Sequence, residues 1–88
     1  MGNVQALMTV MPTGVDVDLD ELEERISLNL PEAARLQDSD TEEVAFGLKS
    51  LQILVTVPDD AGGTEKVEGR IQEIEGVESV QVGSVTRD

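Results

Sequence analysis

The sequence predicts an α+β fold: a βαββαβ chain with one four-stranded antiparallel sheet and two helices on one of its faces. Three observations carry this. Val4, Ala6, Met8 and Val10 recur at every second residue, as do Leu51, Ile53, Val55 and Val57, the period of a half-buried strand. Leu19, Leu22, Ile26 and Leu30 recur at spacings of three and four, which line one face of a helix. The three prolines, Pro12, Pro31 and Pro58, stand at the boundaries of these patterns and not inside them.

Taken in order, the first strand runs from Asn3 to Met11, with Gln5 and Thr9 on its second face, and Pro12-Thr13-Gly14 breaks it. Asp18 followed by Glu21 has the form of a capping box with Asp as the cap. Asp20, Glu21, Glu23 and Glu24 then fill the first turns, where the helix dipole favours anions. Pro31 stops this helix. From Ala34 to about Val44 the pattern is weak and acidic, which reads as an edge strand whose charges discourage sheet-to-sheet association.

Gly47 marks a turn or bulge before the Leu51–Val57 strand, and Pro58 to Gly63 is a loop. Thr64 is the expected N-cap of a shorter helix with Val67, Ile71 and Ile74 on one face, ended by Gly76. Val80 and Val82 alternate before Gly83, and Val85 resumes the last strand. Two strand–helix–strand halves in this order describe a ferredoxin-like sandwich. It uses residues 1–88 as a single domain, without linker or low-complexity tail.

Composition bounds the function. A chain of 88 residues buries only about 60% of the surface its unfolded form exposes, leaving no room for a deep catalytic cleft. Without Cys there are no disulfides or thiolate metal sites, and without His the commonest general base is missing. No apolar run approaches the roughly 18 residues of a membrane span. No signal peptide is visible, and Met1-Gly2 lacks the Ser or Thr at position 6 that myristoylation needs. A soluble cytoplasmic protein is expected.

The net charge of −13, from 19 acidic and 6 basic residues, would repel nucleic acid and anionic membranes alike. It also points to a salt-rich, halophilic source. At about 1 M salt the Debye length falls to about 3 Å and screens the self-repulsion of such a surface.

No motif argues for an active site, a cofactor or a bound metal. Asp16, Asp18 and Asp20 open like a calcium loop, but the sixth position is Glu21 and the twelfth is Ser27, so a capped acidic helix start is the better account. Gly62-Gly63-Thr64 precedes a helix without the Gly-Lys-Thr of a phosphate loop. Asp59-Asp60 reads as a solvated turn. RNA-binding sheets of this class need basic and aromatic residues, and this chain has one aromatic. Acyl carriers are small and acidic too, but helical, and Asp38-Ser39-Asp40 lacks their Asp-Ser-Leu signature.

Two features remain. Phe46 is the only aromatic residue and stands beside Gly47 where one strand ends and the next begins. The residues alone leave open whether it packs inward or is presented outward. Arg87 is a cation at the penultimate position of an acidic chain, which by itself means little.

Ala45-Phe46-Gly47-Leu48-Lys49-Ser50-Leu51-Gln52-Ile53, followed by Val57-Pro58-Asp59-Asp60 and Gly63-Thr64-Glu65, resembles the exchange domain of the beta subunit of translation elongation factor 1. Met11-Pro12, Asp16-Val17-Asp18-Leu19 and the compact length resemble its archaeal form, and the resemblance runs essentially end to end. It implies a ferredoxin-like guanine-nucleotide exchange factor without covalent chemistry or cofactor. Its partner would be the GTPase alpha subunit of elongation factor 1, in GDP-bound and nucleotide-free forms. It implies that Phe46, with Gly47, docks on the second domain of that GTPase.

The resemblance further implies that the penultimate cation reaches towards the magnesium and phosphate site. The family carries Lys there, so Arg87 is a departure, being planar and wider. Lys49 and Gln52 lie in the same motif and are expected near the contact, a solvated strand face being an equal reading. The alternative from another class is a small-ligand regulatory module on the same fold, with Gly62-Gly63 as its only comparable site.

Overall fold

The structure, a computed structural model, describes residues 2–45, 47–58 and 63–87, with Arg87 described by its backbone alone. The elements are β1 (Asn3–Pro12), α1 (Leu19–Asn29), β2 (Arg35–Ala45), β3 (Leu48–Pro58), α2 (Gly63–Gln72) and β4 (Val77–Arg87). All four strands are antiparallel neighbours in one sheet of order β2-β3-β1-β4. The fold is the ferredoxin-like βαββαβ sandwich that the hydrophobic periods predict.

The core lies between the sheet and the two helices. Val4, Ala6, Met8 and Val10 of β1 and Leu51, Ile53, Val55 and Val57 of β3 supply its floor, all buried. Leu22 and Ile26 of α1 and Val67 and Ile71 of α2 cover it, while Leu19, Leu30 and Ile74 pack at its margins. Among the described residues no helix covers the opposite face of the sheet. There Leu7 and Leu54 are directly paired across β1 and β3, and Asp38, Asp40 and Glu42 of β2 line up beside Leu54, Gln52 and Ser50.

The helix ends follow local chemistry. Asp18 is extended and its Oδ1 accepts from the backbone N–H of Asp20 at 3.0 Å and of Glu21 at 3.4 Å, satisfying N–H groups that a helix start leaves unpaired. The expected capping box is only half made. Glu21 does not reach back; its Oε1 accepts from Arg25 Nη2 at 2.6 Å. At the other end Leu30 turns extended, with ψ of 149°, as the residue before a proline must. Asn29 Nδ2 donates to the Arg25 carbonyl oxygen at 2.7 Å, folding the last side chain of the helix back onto its final turn.

Two expectations need correction. The second helix begins at Gly63, so Thr64 lies inside its first turn and is not the N-cap. That helix also ends at Gln72, before Gly76. Residues 73–76 make a turn in which the Ile74 N–H donates to the Ile71 carbonyl oxygen at 3.0 Å, and Gly76, at φ 100°, redirects the chain into β4. Only glycine adopts that φ without strain.

β2 is an edge strand, as its acidic residues suggest, and β4 is the other edge. The interruption at Gly83 is a β-bulge. Met8 pairs with Val82 but Leu7 with Ser84, so the strand continues past it to Arg87. A Cβ at Gly83 would lie 3.5 Å from the Leu7 carbonyl oxygen, within ordinary contact.

Candidate functional site

With no catalytic constellation in the sequence, the candidate site is a contact surface. Its centre is the β2–β3 hairpin. Ala45 pairs with Leu48, so positions 46 and 47 form the connection. Phe46 lies outside the described residues. Gly47 has φ 83°, and a Cβ on it would meet nothing within 4 Å. The glycine is therefore required by the sign of φ at a tight turn, not by crowding.

Lys49 is exposed and stands opposite Glu43 in the register. Among the described residues the one ion pair is Arg25–Glu21. Gln52 and Lys49, expected together near the contact, leave the sheet on opposite faces. Gln52 Nε2 donates to Glu42 Oε2 on the open face, whereas Lys49 has the parity of buried Leu51 and stands on the helix side.

On that helix side the hairpin borders a groove of about 490 Å³. Gly47 and Lys49 form one wall. The loop after β1 and the start of α1 form the other, with Pro12, Val15, Val17, Asp18 and Asp20. Val15 is 70% exposed there. The sequence reading missed this residue because it lies between Gly14 and Asp16 and belongs to no periodic face. The only available signal was that absence of a place.

Arg87 is at the far end of the molecule. Its backbone pairs with Val4 at the start of β1, which lies opposite Val57 of β3, whereas the hairpin end of β3 is Leu48. About nine residues of extended strand separate the two levels, roughly 30 Å. The molecule's longest dimension is 42 Å. The sheet holds the hairpin and the last strand residue apart at a fixed distance.

The Gly62-Gly63 loop of the alternative reading falls partly outside the described residues. The hollow beside Gly63, lined by Pro31, Ala34, Val57 and Lys66 among others, measures about 200 Å³, below the roughly 300–1,000 Å³ of small-molecule sites. Among the described residues no group of three or more Asp or Glu is placed to hold a metal ion. Among the described residues no helix is long and apolar enough to cross a membrane.

Comparison with known proteins gives a consistent result. The family model described as the EF-1 guanine nucleotide exchange domain matches residues 5–87. The chain is 52% identical over 87 residues to elongation factor 1-beta of Methanococcoides burtonii, covering 99% of this chain and 98% of that one. It is 51% identical over 87 residues to the proteins of the same name from Natronomonas pharaonis and Halobacterium salinarum, covering 99% of both chains in each case.

Proposed function

The chain belongs to the EF-1 guanine nucleotide exchange domain family and is an exchange factor of translation elongation; on that premise we propose how it engages its GTPase. The partner is the alpha subunit of elongation factor 1, bound first with GDP and then in its nucleotide-free form. The small-ligand module is not favoured. The protein acts in the cytoplasm, where translation takes place, and makes and breaks no covalent bond.

Phe46, next to Gly47 in the sequence, is the apolar anchor, with Lys49 at its border. Arg87 is the cation directed at the phosphate and magnesium region of the GTPase. GDP is held there largely by the metal and by phosphate-binding backbone and Lys groups. A cation brought into that region competes electrostatically with the metal and weakens the hold on the nucleotide. By linkage, a factor that lowers GDP affinity must itself bind the nucleotide-free GTPase more tightly than the GDP form, by the same ratio.

The observation that supports this reading is the separation of the two ends. With roughly 30 Å of paired strand between the hairpin and Arg87, one rigid body reaches two distant regions of one partner. Grip at the hairpin then fixes where the other end is presented. The test is release of a labelled GDP from the partner GTPase at matched salt. Acceleration on adding this protein is expected, and its absence would remove the reading.

A further inference from the structure

We infer that the groove beside the hairpin is part of the partner contact, with Val15 as a second apolar anchor that receives a basic side chain of the GTPase. The inference rests on the exchange reading and deepens it.

Three observations lead there. Val15 is a large apolar side chain left 70% exposed, but single exposed apolar residues are common and mean little alone. This one lines a groove shared with Gly47 and Lys49, so it is continuous with the surface the hairpin presents. The groove is also chemically two-sided: Pro12, Val15 and Val17 make an apolar wall, and Asp18 and Asp20 make an acidic rim that outweighs the single cation of the lining, Lys49.

The two rim carboxylates are not equivalent. Asp18 is committed to its helix, since Oδ1 accepts two backbone N–H groups. The Asp20 side chain takes part in no hydrogen bond or ion pair among the described residues. An apolar wall leading to a free carboxylate suits a Lys or Arg, whose aliphatic stem lies on the wall while its charged head meets the acid. A purely apolar guest would leave Asp20 desolvated without compensation, which is costly. An acidic guest would face the two carboxylates with Lys49 alone to offset them.

The other large exposed apolar side chain useful for comparison is Leu28, 78% exposed near the end of α1 and outside this groove. Exposure alone predicts that the two behave alike; the groove predicts that they do not.

Binding of the full-length protein to the nucleotide-free alpha subunit of elongation factor 1 is measured for the wild type, Val15→Ser, Leu28→Ser and Asp20→Lys. Circular dichroism of each variant checks the fold. Val15→Ser is expected to weaken binding about tenfold, the scale of one apolar side chain removed from a buried contact. Leu28→Ser stays within about twofold, and Asp20→Lys weakens binding about threefold or more, the scale of a like charge facing the guest's head. Val15→Ser within about twofold of the wild type, or equal losses for Val15→Ser and Leu28→Ser, would overturn the anchor. Unchanged or tighter binding by Asp20→Lys would overturn the basic guest. If the wild type neither binds nor accelerates GDP release, the exchange reading itself falls and takes the inference with it.

Discussion

Arg25 Nη1 donates to the carbonyl oxygen of Glu75 at 3.2 Å, joining the middle of α1 to the turn that leads into β4, fifty residues later in the chain. Nη2 of the same guanidinium donates to Glu21 one turn back. Gly76 follows directly, and a Cβ there would lie 3.7 Å from Leu22 Cδ1 and from Val17 Cγ1. One arginine thus holds the first helix to the only stretch of chain that separates the second helix from the last strand.

Arg25→Ala is expected to cost about 1 kcal/mol. Most of this comes from the hydrogen bond to the Glu75 carbonyl, because the ion pair with Glu21 is about half exposed and screened. In a domain of this size that is a fall in Tm of about 4–8 °C, read by thermal unfolding.

Gly76→Ala tests backbone sign separately from space. The added methyl would meet its neighbours at ordinary contact distance, so only the φ of 100° opposes it. A loss of about 1–2 kcal/mol is expected, measured by denaturant titration. An unchanged midpoint would mean that the turn relaxes to negative φ.

Phe46→Ala should leave stability within about 1 kcal/mol of the wild type, as surface changes generally do. Binding to the GTPase should fall by about 2 kcal/mol or more, as for a central aromatic anchor. Circular dichroism with a binding titration separates the two effects. A collapse of the fold would place Phe46 in the core instead.

Arg87→Gln and Arg87→Lys divide charge from shape. If the last cation acts on the nucleotide and not as an anchor, Arg87→Gln lowers the GDP-release rate about tenfold or more and narrows the factor's preference for the nucleotide-free over the GDP-bound GTPase, while its affinity for the GDP-bound form does not fall. Arg87→Lys should retain most of the rate. Equal losses of affinity and rate for both would make Arg87 a simple docking contact.

Stability should rise with salt. The net charge of −13 in a 9.5 kDa chain repels itself most strongly when unscreened, and relatives from Halobacterium salinarum and Natronomonas pharaonis fit a salt-rich setting. The expected result is a clearly higher unfolding midpoint at about 2 M KCl than at about 0.1 M. Equal midpoints would end the halophilic interpretation.

Much of this architecture was legible from residue order, because burial on one side imposes a period. The eight alternating apolar residues of β1 and β3 could occupy one face only if both strands lay flat on the helices. Pro31 and Asp18 marked helix ends because one cannot continue a helix and the other satisfies free N–H groups. Thr64 misled for a related reason: a good capping residue is also tolerated within the first turn, and only the backbone path decides which. The family resemblance supplied Phe46 and Arg87 as contact residues, and neither side chain lies among those described.

What the sequence alone determined was local: periods, caps, turns and an excess of acid. Those are set by neighbours within a few residues, so they can be read along the chain. Only the tertiary structure decided which distant residues share a surface. Strand pairing places Val4 between Arg87 and Val57, and Val57 stands nine residues along β3 from Leu48 at the hairpin, which sets the two contact ends roughly 30 Å apart. The fold sets Val15 of the loop after β1 and Asp20 of α1 around one groove with Lys49 of the hairpin. These relations depend on register and chain crossing, which leave no periodic trace in the sequence.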